Sequence, residues 1–436
     1  MTSYTTQPPT YTQPGDDSVS RVQEFELVDA KKVRPGGNGS TPAWEFTFKI
    51  PSGLKFSAEQ LAAAKITRQN IGAGMQVALY GVNDDASVEK VLGALKPGSV
   101  PEGQVMLPLP ARDGPVPTMQ LMDARTAIAH TVDLTRPTPQ LLKKCGINSN
   151  NHAYDDMPVA DFLQLPGVRD RLSFDMLRLH QPPLQNRKYT PSEVDVANGT
   201  VRILMSETHY TRKNGKDSPG TTSGYLADLG ERFLQGERGI KVHGLLDTRK
   251  HKLPYRDATG PRILIGTGVG IAPHVAWLRQ CAAEGKDPNV ALFLSGERNA
   301  QDHLLADDIT RMLPEPGVFH HVYSQPGKHS KGQYVNDALA EHADVVWRSL
   351  HDQHGTIYLC GHEGMRKGVE EALRTIAAKH LRPDQAAEWA SQIMGNGKQE
   401  KESLSWPDRF YHEKWPKIWE GRQEEIQRLE GGRGQG

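Results

Sequence analysis

The chain has 436 residues, and its 52 Lys+Arg balance 52 Asp+Glu, so the formal net charge is zero. That balance supplies no global basic field for nucleic acid or an anionic membrane, and the length is enough for two or three domains. No apolar run approaches the roughly 18 residues of a bilayer span, the polar N-terminus lacks the charged-then-apolar order of a secretory signal, and Cys145, Cys281 and Cys360 are too few and too scattered for a disulfide framework, a zinc site or a four-cysteine cluster.

In chain order, residues 1–22 are rich in Ser, Thr, Pro and Gln and are expected to be disordered. Residues 25–28 and 44–50 alternate apolar and polar side chains, the period of a half-buried strand, with a glycine-rich loop over 36–39 between them. Residues 75–80 read as another strand. The pattern then turns helical over 84–95, with Val88, Val91, Leu92 and Leu95 on one face and Asp84 or Asp85 as a cap. After a proline-rich stretch at 101–117, further helical patterns cover 119–131 and 159–165. This block, about 84–180, interrupts the strands and reads as an insertion between barrel strands. Strand character returns at 201–205 and 240–244, with a turn at 213–216. From Ile263 onward strands (263–265, 290–294, 318–323, 356–360) alternate with helices, which indicates a parallel sheet covered on both faces. The expected architecture is an antiparallel β-barrel over 23–258 with a helical insert, then an α/β parallel-sheet domain of nucleotide-binding type over 259–406. A C-terminal extension, 407–436, is expected to contain one amphipathic helix with a loose end.

The most informative stretch is RILIGTGVGIAPHVAWLRQ, residues 262–280. An apolar run leads into Gly266, Gly268 and Gly270, then Pro273, then apolar residues at helical spacing. Glycines let the backbone turn tightly and approach a ligand, and a helix start offers free N–H groups to a phosphate. Alone, such a turn fits any α/β protein; it gains force from its companions. In RKYTPS, Arg187 can pair with a pyrophosphate, Tyr189 can stack on a flat ring, and Thr190 can reach a ring nitrogen, although an ordinary strand edge looks the same. Gly220, Thr221, Thr222 and Ser223 open a helical pattern and offer a second anion site, or merely a hydroxyl cap. YLCGHEGM ends a buried strand, and Cys360 there is either a small apolar filler or a contact to a reacting ring. His351 and His354 share a helical face without a carboxylate set, too little for a metal site, and the other histidines, His320 and His321 included, are expected at the surface.

Together RKYTPS, GTTSGYLADL, GTGVGIAPH and YLCGHEGM, in that order, resemble the ferredoxin–NADP reductase superfamily. GMQVALYGVNDDASVEKVLGAL and WRSLHDQHGTIYLCG are similar to the FAD/NADPH module of diflavin reductases of the sulfite reductase flavoprotein type, without the FMN domain. The resemblance covers about residues 23–406. It implies FAD held by Arg187, Lys188, Tyr189, Thr190 and Ser192, with Leu204, Met205, Ser206 and Tyr210 on its adenine side and Gly220, Thr221, Thr222 and Ser223 at the pyrophosphate. Gly268, Gly270 and Pro273 would shape the dinucleotide groove, and Ser324, Gln325, Lys331, Tyr334 and Asn336 match the adenosine-phosphate region. Thr190 and Cys360 would lie near the flavin N5 and the nicotinamide C4 as catalytic residues, with Trp406 the aromatic that covers the flavin and Glu402 the nearest acid. The family usually has Ser-Arg where this chain has Ser324-Gln325, and its lysine lies one residue nearer the tyrosine than Lys331 does. A bidentate arginine on the 2′-phosphate is therefore missing at 325, which leaves NADPH and NADH both open.

What the resemblance implies is a reductase that takes hydride from NADPH (or NADH) through FAD and passes electrons to a separate protein such as a ferredoxin, a flavodoxin or an oxygenase or reductase component. One alternative is a flavin reductase acting directly on a small molecule. Another is a subunit with a degenerate site that serves as an interaction module. No nucleic-acid, membrane or metal partner is expected, and three cysteines make a reducing cytoplasm the default compartment.

Overall fold

In a computed structural model, the residues described are 23–37, 40–51, 76–108, 119–148, 152–195, 198–211, 217–247, 255, 260–313, 315–325, 332–394 and 410–415. They divide into two compact units, the first ending at Asp247 and the second running from Tyr255.

The first unit opens with β1 (Gln23–Arg34), β2 (Ala43–Lys49) and β3 (Gln76–Leu79). Helix α1 (Asp85–Leu92) follows, with the Asp84 carboxylate accepting from the Ser87 N–H as an N-cap, as its pattern indicates. Residues 105–122 depart from expectation: β4 (Val105–Pro108) lies inside the proline-rich stretch and pairs antiparallel with β5 (Met119–Met122). The helical pattern at 119–131 therefore splits, and only α2 (Ala124–Thr131), capped by Asp123, is helical. The apolar side chains of MQLM fit either period, and a strand partner decided the outcome. Short helices α3 (Pro139–Lys144), α4 (Val159–Phe162) and α5 (Phe174–His180) complete the insert. Helix α4 ends three residues before the 159–165 pattern does.

The barrel strands resume as β6 (Arg187–Tyr189), β7 (Pro191–Asp195) and β8 (Thr200–Ser206). A small ribbon, β9 (His209–Thr211) and β10 (Asp217–Pro219), leads into helix α6 (Thr221–Leu234) and strand β11 (Lys241–Asp247). The 213–216 turn lies outside the described residues. Seven strands form one antiparallel sheet in the order β6-β3-β11-β1-β2-β8-β7. Its two outer strands, β6 and β7, are joined through Thr190 alone, so the sheet must curl until its edges approach. Trp44, Phe46 and Phe48 on β2 are fully buried, and α6 packs on that face. A Cβ on Gly230 would sit 2.7 Å from the Trp44 ring, so only glycine allows this approach.

In the second unit β12 (Arg262–Thr267) runs through a 3-10 turn (Gly268–Ile271) into α7 (Ala272–Glu284). Then come β13 (Val290–Glu297), α8 (Ala306–Met312), β14 (Phe319–Tyr323), α9 (Val335–Glu341) and α10 (Ala343–Trp347). The chain continues with β15 (Thr356–His362), α11 (Glu363–Ala377), α12 (Pro383–Met394) and β16 (Phe410–Trp415). The sheet is parallel throughout, in the order β14-β13-β12-β15-β16. One face buries Ile263, Ile265, Leu292 and Leu294 against α9, α11 and α12. On the other, His274 of α7 packs edge-on against Phe293 of β13 at 5.5 Å. Both faces are thus covered, as the apolar runs indicate. The expected C-terminal helix is overturned at 410–415, where the chain adds an edge strand beside β15. Three aromatics among its six residues suit a strand, and β15 offers an edge to receive it.

Candidate functional site

The candidate residues fall into two sets, one in each unit. In the first, Arg187 is exposed while Lys188, Tyr189 and Thr190 are half-buried. Tyr189 is opposite Val77 of β3, and desolvation holds its phenol above the ordinary range, hence protonated. Thr190 is the single residue at the seam between the outer strands. Ser192 is fully buried, its hydroxyl 3.4 Å from a Glu45 carboxylate oxygen and from the Arg202 carbonyl. Leu204 and Met205 are core residues at 3% and 1% exposure, and the Ser206 hydroxyl accepts from Arg34 Nη2 at 3.3 Å. Tyr210 lies on β9.

Helix α6 begins at Thr221 with Gly220 as an N-cap that makes no side-chain cap hydrogen bond. Thr222 and Ser223 are buried and Thr221 half-buried. Ser223 Oγ accepts from the Thr208 N–H at 3.0 Å and the Gly220 N–H donates to the Thr208 carbonyl at 2.6 Å, so the loop is held without covering the helix start by a side-chain cap. First-turn N–H groups have no intrahelical partner, and with the positive end of a 14-residue helix they favour an anion here. Gly81 packs on this turn: a Cβ there would meet Thr222 N at 2.9 Å. A lone glycine just after a strand was its only sequence signal.

In the second unit the glycine turn has the expected order of strand, turn and helix. Gly268 has φ +51°, a left-handed conformation, and a Cβ on Gly270 would lie 2.7 Å from the Cys360 carbonyl oxygen. The turn therefore lies against the carboxyl end of β15, and Cys360 is fully buried opposite Gly266. Pro273 occupies the first turn of α7, where a missing N–H costs nothing. His274, expected at the surface, is fully buried. Its Nε2–H donates to the Ile265 carbonyl at 2.9 Å, which leaves Nδ1 to accept from the Tyr255 hydroxyl at 2.7 Å. Burial pushes its pKa down to about 4, so the neutral ring ties α7 back to β12.

At the β14 end, the Ser324 N–H donates to the Glu297 carbonyl at 2.9 Å and the Gln325 N–H to the Arg298 carbonyl at 2.7 Å. Tyr334, at 64% exposure, and half-buried Asn336 stand at the start of α9. Lys331, Glu402 and Trp406 lie outside the described residues. The strand register sets Glu413 beside Cys360 and Trp415 beside His362.

Other histidine expectations need correction. His354 has φ +52° and follows a π-helical turn, so it does not share a helix face with His351, which stacks on Trp347. His130 and His243 are buried, and His321 is half-buried in a stack with His303, their ring centroids 3.8 Å apart. Among the described residues no group of three or more His, Cys, Asp or Glu could hold a metal, and no helix is long and apolar enough to cross a membrane.

A glycine turn at the carboxyl ends of a parallel, two-sided sheet defines a dinucleotide-binding α/β unit. Residues 264–371 match the oxidoreductase NAD-binding domain family. Over 341 residues the chain is 27% identical to the sulfite reductase [NADPH] flavoprotein alpha-component of Mannheimia succiniciproducens, covering 74% of this chain and 53% of that protein. It is 30% identical over 182 residues to the root-type chloroplastic ferredoxin–NADP reductase of Nicotiana tabacum (39% of this chain, 47% of that one). A Schizosaccharomyces pombe FAD-binding protein is 28% identical over 222 residues (46% and 36%). The chain thus spans about half the length of the first of these relatives, or less. These matches bear out the resemblance to the ferredoxin–NADP reductase superfamily.

Proposed function

We propose that the chain is an NADPH-dependent flavoprotein reductase that passes electrons to a separate protein acceptor, of the class of a ferredoxin, a flavodoxin or an oxygenase or reductase component. The observation that carries this reading is the turn at Gly268 and Gly270, pressed against the end of β15 inside the stretch that matches an oxidoreductase NAD-binding domain. When bound, FAD supplies the step from two-electron donor to one-electron acceptor. The protein supplies binding and orientation. The N–H groups in the first turn of α6, from Thr221 to Ser223, suit a pyrophosphate, and exposed Arg187 adds a guanidinium. Tyr189, protonated and half-buried, offers a ring face and a donor, and Thr190 a hydroxyl at the seam. Ser192, Leu204 and Met205 have buried side chains and support the strands that carry these groups.

For the aromatic that covers the flavin we favour Trp415 over Trp406, with Glu413 as the acid. The register supports this, since β16 runs beside Cys360, Gly361 and His362 at the end of β15. The test is acceptor-dependent turnover. FAD-loaded protein and NADPH should reduce at least one carrier protein of these classes faster than free flavin or small dyes. Transfer to small molecules alone would favour the direct flavin-reductase reading.

A further inference from the structure

We propose that the seam between the barrel and its helical insert is an acid-sensitive latch, closed by the neutral pair His130 and His243 and coupled to the hold on FAD at the start of α6. The coupling rests on the reading of that helix start as the pyrophosphate site.

The pair joins the insert to the barrel. His130 lies in the last turn of α2 and His243 on β11, each 6% exposed, with ring centroids 5.8 Å apart. His130 Nε2 is enclosed and has no hydrogen-bond partner. A proton there would be a buried charge without an acceptor, beside a second ring that titrates in the same range. Burial holds the two pKa values down to about 4 for His130 and about 3 for His243.

The surrounding charges leave that penalty in place. Asp123 at the head of α2 favours a charged His130, while Lys241 opposes a charged His243. Glu24 of β1 brings one oxygen to 4.0 Å from His243 Nε2, but its other oxygen accepts from Lys241 Nζ at 2.8 Å. Residues 80–83 and 181–184, both bonded to α2 or the residue after it, carry no charge, and the Asp133 carboxylate accepts from the Thr135 N–H at 2.8 Å. An open seam returns both rings to the ordinary 6.5. Opening therefore takes up as many as two protons, and it is favoured as pH falls from about 6.5 towards 4.

The route to α6 is short. The Asn83 N–H donates to the Ala129 carbonyl at 2.9 Å, and Asn83 Nδ2 donates to the Ile128 and Val132 carbonyls at 2.9 and 2.7 Å. The Tyr80 N–H donates to the His243 carbonyl at 2.9 Å. The loop 80–83 is thus tied to both sides of the latch. Gly81 within it presses on α6, where a Cβ would meet Thr222 Cα at 2.7 Å. Release of α2 frees the Asn83 end of the loop and loosens the turn assigned to the pyrophosphate.

The experiment follows FAD affinity of the full chain by flavin fluorescence from about pH 7.5 to about 4.5. Hydrogen exchange of the α2 amides is measured over the same range and corrected for intrinsic exchange. In the parent the dissociation constant should rise below about pH 6.5 by up to about 100-fold per pH unit, and α2 should lose protection while β12 keeps it. H130F, which cannot take the proton, should bind FAD as the parent does near neutrality and limit the rise to about 10-fold per unit. H130Q makes the same comparison if the phenylalanine variant does not fold. Identical pH profiles of FAD affinity in parent and variant overturn the latch. If the chain takes up no FAD at any pH, the flavin reading fails and exchange alone decides the latch: α2 amides that lose no protection in acid, or lose as much in the variant, overturn it.

Discussion

Acid should loosen the second unit through His274, and the size of the effect follows from its surroundings. The ring is fully buried between the Ile265 carbonyl and the Tyr255 hydroxyl, and its pKa lies near 4 against an ordinary value of 6.5. The folded protein therefore binds fewer protons here than the unfolded chain between those two values. Stability from this group is complete above about pH 6.5, is lost as pH falls, and levels off below about pH 4. Integrating that difference at about 1.4 kcal/mol per pH unit gives a loss of about 3 kcal/mol by pH 4. H274Q removes the titration while keeping an amide donor and acceptor. Urea unfolding of parent and variant should show the parent ahead at pH 7 and its lead shrinking by about 3 kcal/mol at pH 4. His130, His243 and His321, also held below the ordinary range by burial, act in both proteins and cancel in the difference. A lead that stays constant with pH would refute the assignment of a buried neutral ring.

Further outcomes follow from close contacts and from β16. Gly270→Ala puts a methyl 2.7 Å from the Cys360 carbonyl; it should cost about 1–3 kcal/mol and weaken NADPH binding about 10-fold, read by calorimetry, with FAD content unchanged. Gly230→Ala pushes on Trp44 and Phe46, at 2.7 and 2.9 Å, and should lower the urea midpoint and FAD retention by a similar energy. Trp415→Ser should let NADP⁺ give a long-wavelength charge-transfer band with bound FAD, whereas Trp406→Ser should not; the reverse result would return the covering role to Trp406.

Local signals made the dinucleotide turn legible. The run Ile263 to Ile265, alternate glycines and Pro273 each act within a few residues of themselves, and so does the Asp84 cap of α1. What escaped depended on distant partners. Met119–Met122 is a strand because Val105–Pro108 pairs with it, and Phe410–Trp415 because β15 lends it an edge. His274 follows a proline at a helix start, and nothing local distinguishes it from a surface residue; Tyr255 and Ile265 make it a buried tie. Nothing local in the sequence showed that Ser192, Leu204 and Met205, expected beside a flavin, turn their side chains into the interior. The link through Thr190 between the outer strands emerges only from the strand order.

The proposal that the chain binds FAD and takes electrons from NADPH is open to direct measurement. The most direct measurement is an anaerobic titration of FAD-reconstituted protein with NADPH, followed by the visible absorbance of oxidised flavin. Stoichiometric bleaching is expected, with NADH effective only at much higher concentration. Protein that fails to retain FAD, or bound FAD that stays oxidised under excess NADPH, would contradict it.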